Sequence, residues 1–249
     1  MKIMNNKSLL NIHNLVPVSC VNGPGRRAVV WTQGCSKRCA GCSNPLTHSH
    51  KPRMLLNAEP LADTIVNLPS IEGATISGGE PLEQPDAVGR LCRLIRQKGL
   101  SVMLFTGWEF EQIHRSNDQK VRQLLSQIDI LVSGPFVKRL ANKDLIWRGS
   151  SNQQITFLTD RYSPDILNDR NPTRVEGLLA TGTPLQITGF PADSDITVLT
   201  ERLVAEAGIL REPTAFEDHP NSVSQRVTKT KKANKSHPRQ AVKFLGSRK

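Results

Sequence analysis

Three cysteines carry the first chemical signal. Cys35, Cys39 and Cys42 fall in a C-x3-C-x2-C spacing within the segment GCSKRCAGC. On the residues alone, four readings of this cluster stand open. Positions i, i+4 and i+7 share one helix face, which would make the cysteines plain core. Against that, Gly34, Gly41 and Pro45 make a poor helix, and Lys37 and Arg38 mark an exposed loop. A disulfide is disfavoured where thiols are kept reduced. Zinc needs four ligands, and His48 or His50 could supply the fourth. An iron–sulfur cluster stands ahead of zinc. Three thiolates on a cubane leave one iron without a protein ligand, a defect in an electron carrier but an opening for a chelating substrate in an enzyme. Cys20 and Cys92 stand apart, and Cys92 reads as a small buried hydrophobe.

The surrounding elements must position this loop. Arg27–Gln33 reads as a strand that delivers it. A helix follows over Pro60–Leu68, with Leu61, Ile65 and Leu68 at helical spacing. Ala74–Ser77 is a short strand ending in Gly78-Gly79. Pro85–Lys98 is a helix with Pro in its first turn and Gly99 just past its end. Leu100–Phe105 is a strand ending at Thr106-Gly107. Two short helical stretches lead to a strand over Ile128–Val132, which ends at Ser133-Gly134-Pro135. Gln154–Leu158, Val175–Ala180 and Leu185–Thr188 read as further strands, and Thr197–Ala207 as a helix. This rhythm predicts an α/β fold with a mostly parallel sheet. Ligands of such sheets sit at the carboxyl ends of the strands. The turns at 78–79, 106–107 and 133–135 should therefore converge on one site.

The chain has 249 residues, 37% of them hydrophobic and 22% charged. That is enough apolar content for one core, and no run approaches the roughly 20 apolar residues of a spanning helix. Asn5, Asn6 and Lys7 interrupt the first ten residues, so no secretory segment is expected and a cytoplasmic location is. The net charge is +11. Residues 213–249 hold nine Lys or Arg against Glu217 and Asp218. This segment lacks hydrophobic periodicity and is expected to be a disordered basic tail following a domain over 1–212. Only one aromatic residue, Phe244, stands among its basic residues, too few for a stacking platform, which argues against nucleic acid as a partner.

Beyond the cysteines, the chain resembles the radical S-adenosylmethionine superfamily. The likeness is strongest to the glycyl-radical-enzyme activating enzymes, and within them to the activators of anaerobic ribonucleotide reductase. Asn22-Gly23-Pro24-Gly25-Arg26-Arg27, with VVWTQGC after it, resembles the entry strand of that branch. Ser77-Gly78-Gly79-Glu80-Pro81-Leu82 resembles the motif that holds the methionine amino group. Thr106-Gly107, the stretch IDILVSGPF over 128–136, and Arg148–Gln153 (RGSSNQ) continue the match, which spans roughly Asn22 to Gln153. Two features depart from it: Ser133 stands where the group usually has Asp, and the chain beyond Gln153 fits less well.

The resemblance implies an open, incomplete β/α barrel and a definite chemistry. Cys35, Cys39 and Cys42 would hold a [4Fe–4S] cluster, and S-adenosylmethionine would bind the open iron. Its reductive cleavage would give a 5′-deoxyadenosyl radical that abstracts hydrogen from a glycine of a glycyl-radical enzyme resembling anaerobic ribonucleotide reductase. Gly78, Gly79, Glu80, Pro81, Thr106 and Gly107 are the expected cofactor-binding residues, with Glu80 on the ammonium. Arg26, Arg27 and Arg148 are candidates for the methionine carboxylate or the partner's peptide. Lys37 and Arg38 would attract an acidic electron donor of flavodoxin type. A radical enzyme acting on a small molecule, peptide or RNA is one rival. A zinc-binding interaction module with a nucleic-acid-binding tail is the other.

Overall fold

The structure, a computed structural model, describes residues 9–168, 175–178 and 186–190. The chain divides into two compact units, Met1–Pro172 and Thr173–Lys249. Within the described part of the second lies an antiparallel pair, Val175–Leu178 with Gln186–Gly189. The expected helix over Thr197–Ala207, the 212/213 boundary and the basic tail fall outside the described residues.

The first unit is built on a seven-stranded sheet. Its strands are β1 (Leu9–Ser19), β2 (Arg27–Thr32), β3 (Met54–Asn57), β4 (Gly73–Gly78), β5 (Ser101–Thr106), β6 (Ile130–Ser133) and β7 (Gln154–Phe157). Their order across the sheet is β3-β1-β2-β4-β5-β6-β7, so β3 and β7 are its edge strands. The neighbours β2, β4, β5 and β6 run parallel. β1 is antiparallel to both β2 and β3, and β7 to β6. Five of the seven strands thus share a direction. Helices α1 (Ala58–Val66), α2 (Pro85–Gln97), α3 (Phe110–Arg115) and α4 (Gln119–Leu125) make the connections.

The central strands read as short continuous apolar runs because both of their faces are covered. On one face Ala28, Val30, Ile76, Leu104 and Leu131 pack against Leu61 and Ile65 of α1, Leu91, Cys92 and Ile95 of α2, and Leu124 of α4. On the other face Met103, Ile130 and Val132 meet Phe105, Trp147, Ile155, Phe157 and Tyr162. Cys92 is wholly buried, and burial pushes its thiol far up, as suits a packing residue.

Two strands escape the periodicity of the sequence. β1 buries Leu10 and Ile12 in alternation, then shifts register between Ile12 and Asn14 and again between Val16 and Ser19. The second irregularity takes in Pro17, whose missing N–H would break a regular ladder. β3 is a four-residue edge strand with an exposed start.

The parallel register aligns the strand ends. Thr32 lies beside Gly78, and Thr106 beside Ser133. The segments leaving β2, β4, β5 and β6 therefore emerge side by side.

Candidate active site

The cysteine loop leaves β2 at Gln33 and is closed at its base. Gly34 N donates to Thr47 O at 2.8 Å and Cys35 N to His48 O at 3.3 Å. The Gln33 amide donates to the carbonyls of Leu46 (3.2 Å) and Ser49 (2.6 Å). Cys35 is buried, while Cys39 and Cys42 are half-buried, and all three are free thiols. The segment is a loop, which removes the reading of the cysteines as one helix face. Cys42 N donates to Cys39 O at 3.1 Å, and Asn44 N donates to Cys42 Sγ at 3.4 Å. Burial pushes the Cys35 thiol up, against the backbone N–H groups of Arg38 and Lys37 that favour its anion. Burial raises Cys42 likewise, opposed by the Asn44 N–H, with the neighbouring Cys39 adding to the rise.

The turn after β4 is seated on this loop, and the seating explains its glycines. Gly79 N donates to Thr32 O and Glu80 N to Gly34 O, both at 2.8 Å. A Cβ on Gly79 would lie 2.2 Å from Gly34 O, and one on Gly78 would lie 2.5 Å from Thr32 N. Gly78 also has φ +103°, a conformation that side chains disfavour.

Glu80 is 1% exposed. Its Oε1 accepts from Leu82 N (2.9 Å) and Thr106 Oγ1 (2.8 Å), and its Oε2 from Gly107 N (2.8 Å). One carboxylate thus ties the β4 turn to the β5 turn. Burial raises its pKa to about 7, with the three donors pulling the other way. Buried Pro81 opens the short 3-10 turn Pro81–Glu83 that Glu80 caps.

Three further contacts clamp the loop, none of them read from the sequence. Glu83 accepts from Ser36 N at 2.8 Å and bonds His50 Nε2 at 2.7 Å. His50 is therefore engaged by a carboxylate. Gln84 accepts from Asn11 N and donates to the carbonyls of Asn11 and Gln33, joining β1, β2 and the glycine turn. Lys37 Nζ stands 3.5 Å from the centre of the Trp108 ring, linking the cysteine loop to the β5 turn.

The candidate arginines separate. Arg27 is fully buried at the amino end of β2, bonded to Thr75, Ser101, Ala74 O and Pro24 O. Arg26 is exposed at that same end. Arg148 is half-buried beyond β6 and, among the described residues, donates only to the carbonyls of Ile146 and Gln153. Ser133 is buried, and its hydroxyl has no hydrogen-bond partner among the described residues. Strand alternation places it on the helix-covered face with Leu131.

This arrangement has known counterparts. Residues 21–156 match the family described as a 4Fe-4S single cluster domain. The chain is 32% identical over 164 residues to the anaerobic ribonucleoside-triphosphate reductase-activating protein of Escherichia coli K12, covering 60% of this chain and 99% of that protein. The protein of the same name from Enterobacteria phage T4 is 31% identical over 157 residues, covering 61% and 96%. That of Vibrio cholerae is 32% identical over 158 residues, covering 60% and 99%. The chain belongs to this family. The expected radical S-adenosylmethionine class and its four-iron cluster follow from that membership. No helix among the described residues is long and apolar enough to cross a membrane.

The residues fit the family's cluster by the chemistry of their donors: three free thiols in one loop, with backbone N–H groups directed at two of the sulfurs. Among the described residues, no three His, Cys, Asp or Glu side chains converge closely enough to hold a metal ion. The fit is therefore one of donor type. Of the residues expected at the cofactor, Gly78, Gly79, Glu80, Pro81, Thr106 and Gly107 form one hydrogen-bonded group. Arg27 lies at the opposite end of the sheet.

Proposed function

We propose that this chain activates an anaerobic ribonucleoside-triphosphate reductase, using S-adenosylmethionine and a [4Fe–4S] cluster held by Cys35, Cys39 and Cys42. The supporting observation is the backbone seating of the cysteine loop on the Gly78-Gly79-Glu80 turn. Ligands to the metal and acceptors for the methionine head are then set by one packed unit. When bound, the cluster supplies one electron to the sulfonium of S-adenosylmethionine, whose cleavage lets a glycine of the reductase lose its Cα hydrogen.

The chain's own residues do the positioning. The N–H groups of Lys37, Arg38 and Asn44 share the charge of the thiolates. Glu80 spends three acceptor sites within the protein and keeps a lone pair of Oε2 for the methionine ammonium. A cation there draws the carboxyl back toward its ionised form. Thr106 and Gly107 hold Glu80 in place, and Gly79 lets the turn approach the loop. Lys37 and Arg38 set positive charge beside the cluster, which favours an acidic electron donor of flavodoxin type.

The test is anaerobic reconstitution with dithionite, S-adenosylmethionine and the reductase. The expected result is 5′-deoxyadenosine together with a glycyl-radical signal that depends on the reductase. A colourless protein that binds one zinc per chain and forms no 5′-deoxyadenosine overturns the reading.

A further inference from the structure

The segment between β6 and β7 is a cationic loop at the carboxyl end of the sheet. From Gly134 to Gly149 it carries Lys138, Arg139, Lys143 and Arg148 against one acid, Asp144. It is a constructed loop. Ala141 and Ser150 form a bridge, Asn142 N donates to Gly149 O, and Ser151 N donates to Leu140 O. The Gln153 side chain accepts from Gly149 N (2.8 Å) and Ser150 N (3.2 Å) and donates to Gly134 O.

Two features of this loop are costly to the fold. Trp147 is held at φ +51°, a left-handed conformation for a bulky side chain, and packs against the Met103, Ile130 and Val132 cluster. Strain of this kind persists only where the surroundings impose it, and it concentrates at functional positions. Next to it, the half-buried Arg148 has two long contacts to carbonyls, 3.4 and 3.3 Å, and no ion pair among the described residues. Burial lowers its pKa, and no carboxylate offsets that effect. A partly desolvated guanidinium with spare N–H groups is completed by an incoming anion, best a carboxylate that can take its fork.

The loop also borders the cysteines. A Cβ on Gly41, between Cys39 and Cys42, would lie 3.3 Å from Lys138 Cδ and 3.5 Å from a ring carbon of Phe136. An anionic chain resting on this loop would therefore pass beside the cysteine loop. We propose that the 134–149 loop is the docking platform for an acidic segment of the partner polypeptide, with Arg148 as its anchoring cation. The inference rests on the activase function above and names the surface through which the reductase is engaged.

The experiment measures, anaerobically, the affinity of the reconstituted chain for the anaerobic ribonucleoside-triphosphate reductase. Arg148→Gln is expected to weaken binding about tenfold, as loss of one partner of a desolvated charged contact does. Arg148→Lys keeps the charge but loses the fork and should fall between that variant and the wild type. The exposed pair Lys138→Gln/Arg139→Gln, which tests the surface even if Arg148→Gln fails to fold, should weaken binding about threefold and flatten its salt dependence. Lys98→Gln, at the far end of α2, should bind as the wild type does. Poly-glutamate should displace the reductase, whereas an uncharged Gly-Ser peptide should not.

Affinities within twofold of wild type for both the Arg148 and the Lys138/Arg139 variants overturn the proposal. So does an equal loss of S-adenosylmethionine affinity in Arg148→Gln, which would assign that residue to the cofactor. Displacement by unstructured RNA at lower concentration than poly-glutamate would assign the loop to nucleic acid instead. A wild-type chain that makes no 5′-deoxyadenosine brings down the activase function itself, whereas an active wild type with indifferent variants brings down only this inference.

Discussion

The two ends of the parallel strands are finished in opposite ways. At the amino end, the Arg27 guanidinium is wholly buried, and its N–H groups meet Thr75, Ser101 and the carbonyls of Pro24 and Ala74. Tyr162 bonds both Ser101 and Glu72 at 2.6 Å and closes that network. Burial lowers the Arg27 pKa, but internal acceptors satisfy its donors. At the carboxyl end, glycine turns bring backbones together, Glu80 is buried with a raised pKa, and Arg148 has no acid beside it among the described residues. A buried polar group with full internal partners is structural, and one left incomplete is available to a ligand. The same residue type thus has two uses, decided by what surrounds it.

The division can be broken by substitutions at each end. Arg27→Met should have the largest effect on stability, about 3–5 kcal/mol, because it leaves several buried hydroxyl and carbonyl groups without their donor. Thermal denaturation should show the midpoint falling by about 10 °C, while the folded fraction still loads iron. Loss of S-adenosylmethionine affinity without loss of stability would dissolve the distinction between the ends.

Glu80 gives a pH signature of opposite origin. Its folded pKa of about 7 lies above the ordinary carboxylate value of 4.5. The folded state therefore holds the proton longer. The stability associated with it is present below about pH 4.5 and is lost as pH rises through about 7, an effect of up to about 3 kcal/mol. Denaturant titrations across this window should show the decline in the cofactor-free wild type, and Glu80→Gln should remove it.

Gly79→Ala forces a methyl group against the Gly34 carbonyl and should cost about 1–3 kcal/mol. Its iron content after reconstitution should fall as well. Gly99→Ala, strained at φ +80° but with open space around it, should leave iron content unchanged. The smallest effect belongs to Trp108→Leu, which removes the stacking of Lys37 for about 0.5–1 kcal/mol, read as a slight shift in midpoint.

Much of this was legible in the residues. Strands β2, β4, β5 and β6 announce themselves as short apolar runs ending in small residues, and Pro85 and Gly99 bracket α2. The cysteine spacing and the Gly-Gly-Glu-Pro turn point to each other because both follow parallel strands. β1 was not legible, since bulges around Asn14 and Pro17 break the alternation that reveals a strand. The clamps through Glu83, Gln84 and Lys37 were hidden because they join residues distant in sequence or on different loops. Arg27 was drawn toward the ligand by its motif, and only burial and strand direction place it at the other end. The motif marks Glu80 as a ligand contact, and its tie to Thr106 and Gly107 shows only in the folded chain.

The central claim is that the loop from Cys35 to Cys42 holds the cluster, and metal analysis of the reconstituted chain tests it most directly. The wild type should carry about four iron and four sulfide with a broad brown absorbance, and Cys39→Ala should lose that absorbance. A chain with all three cysteines replaced that still retains full iron and sulfide would contradict the account.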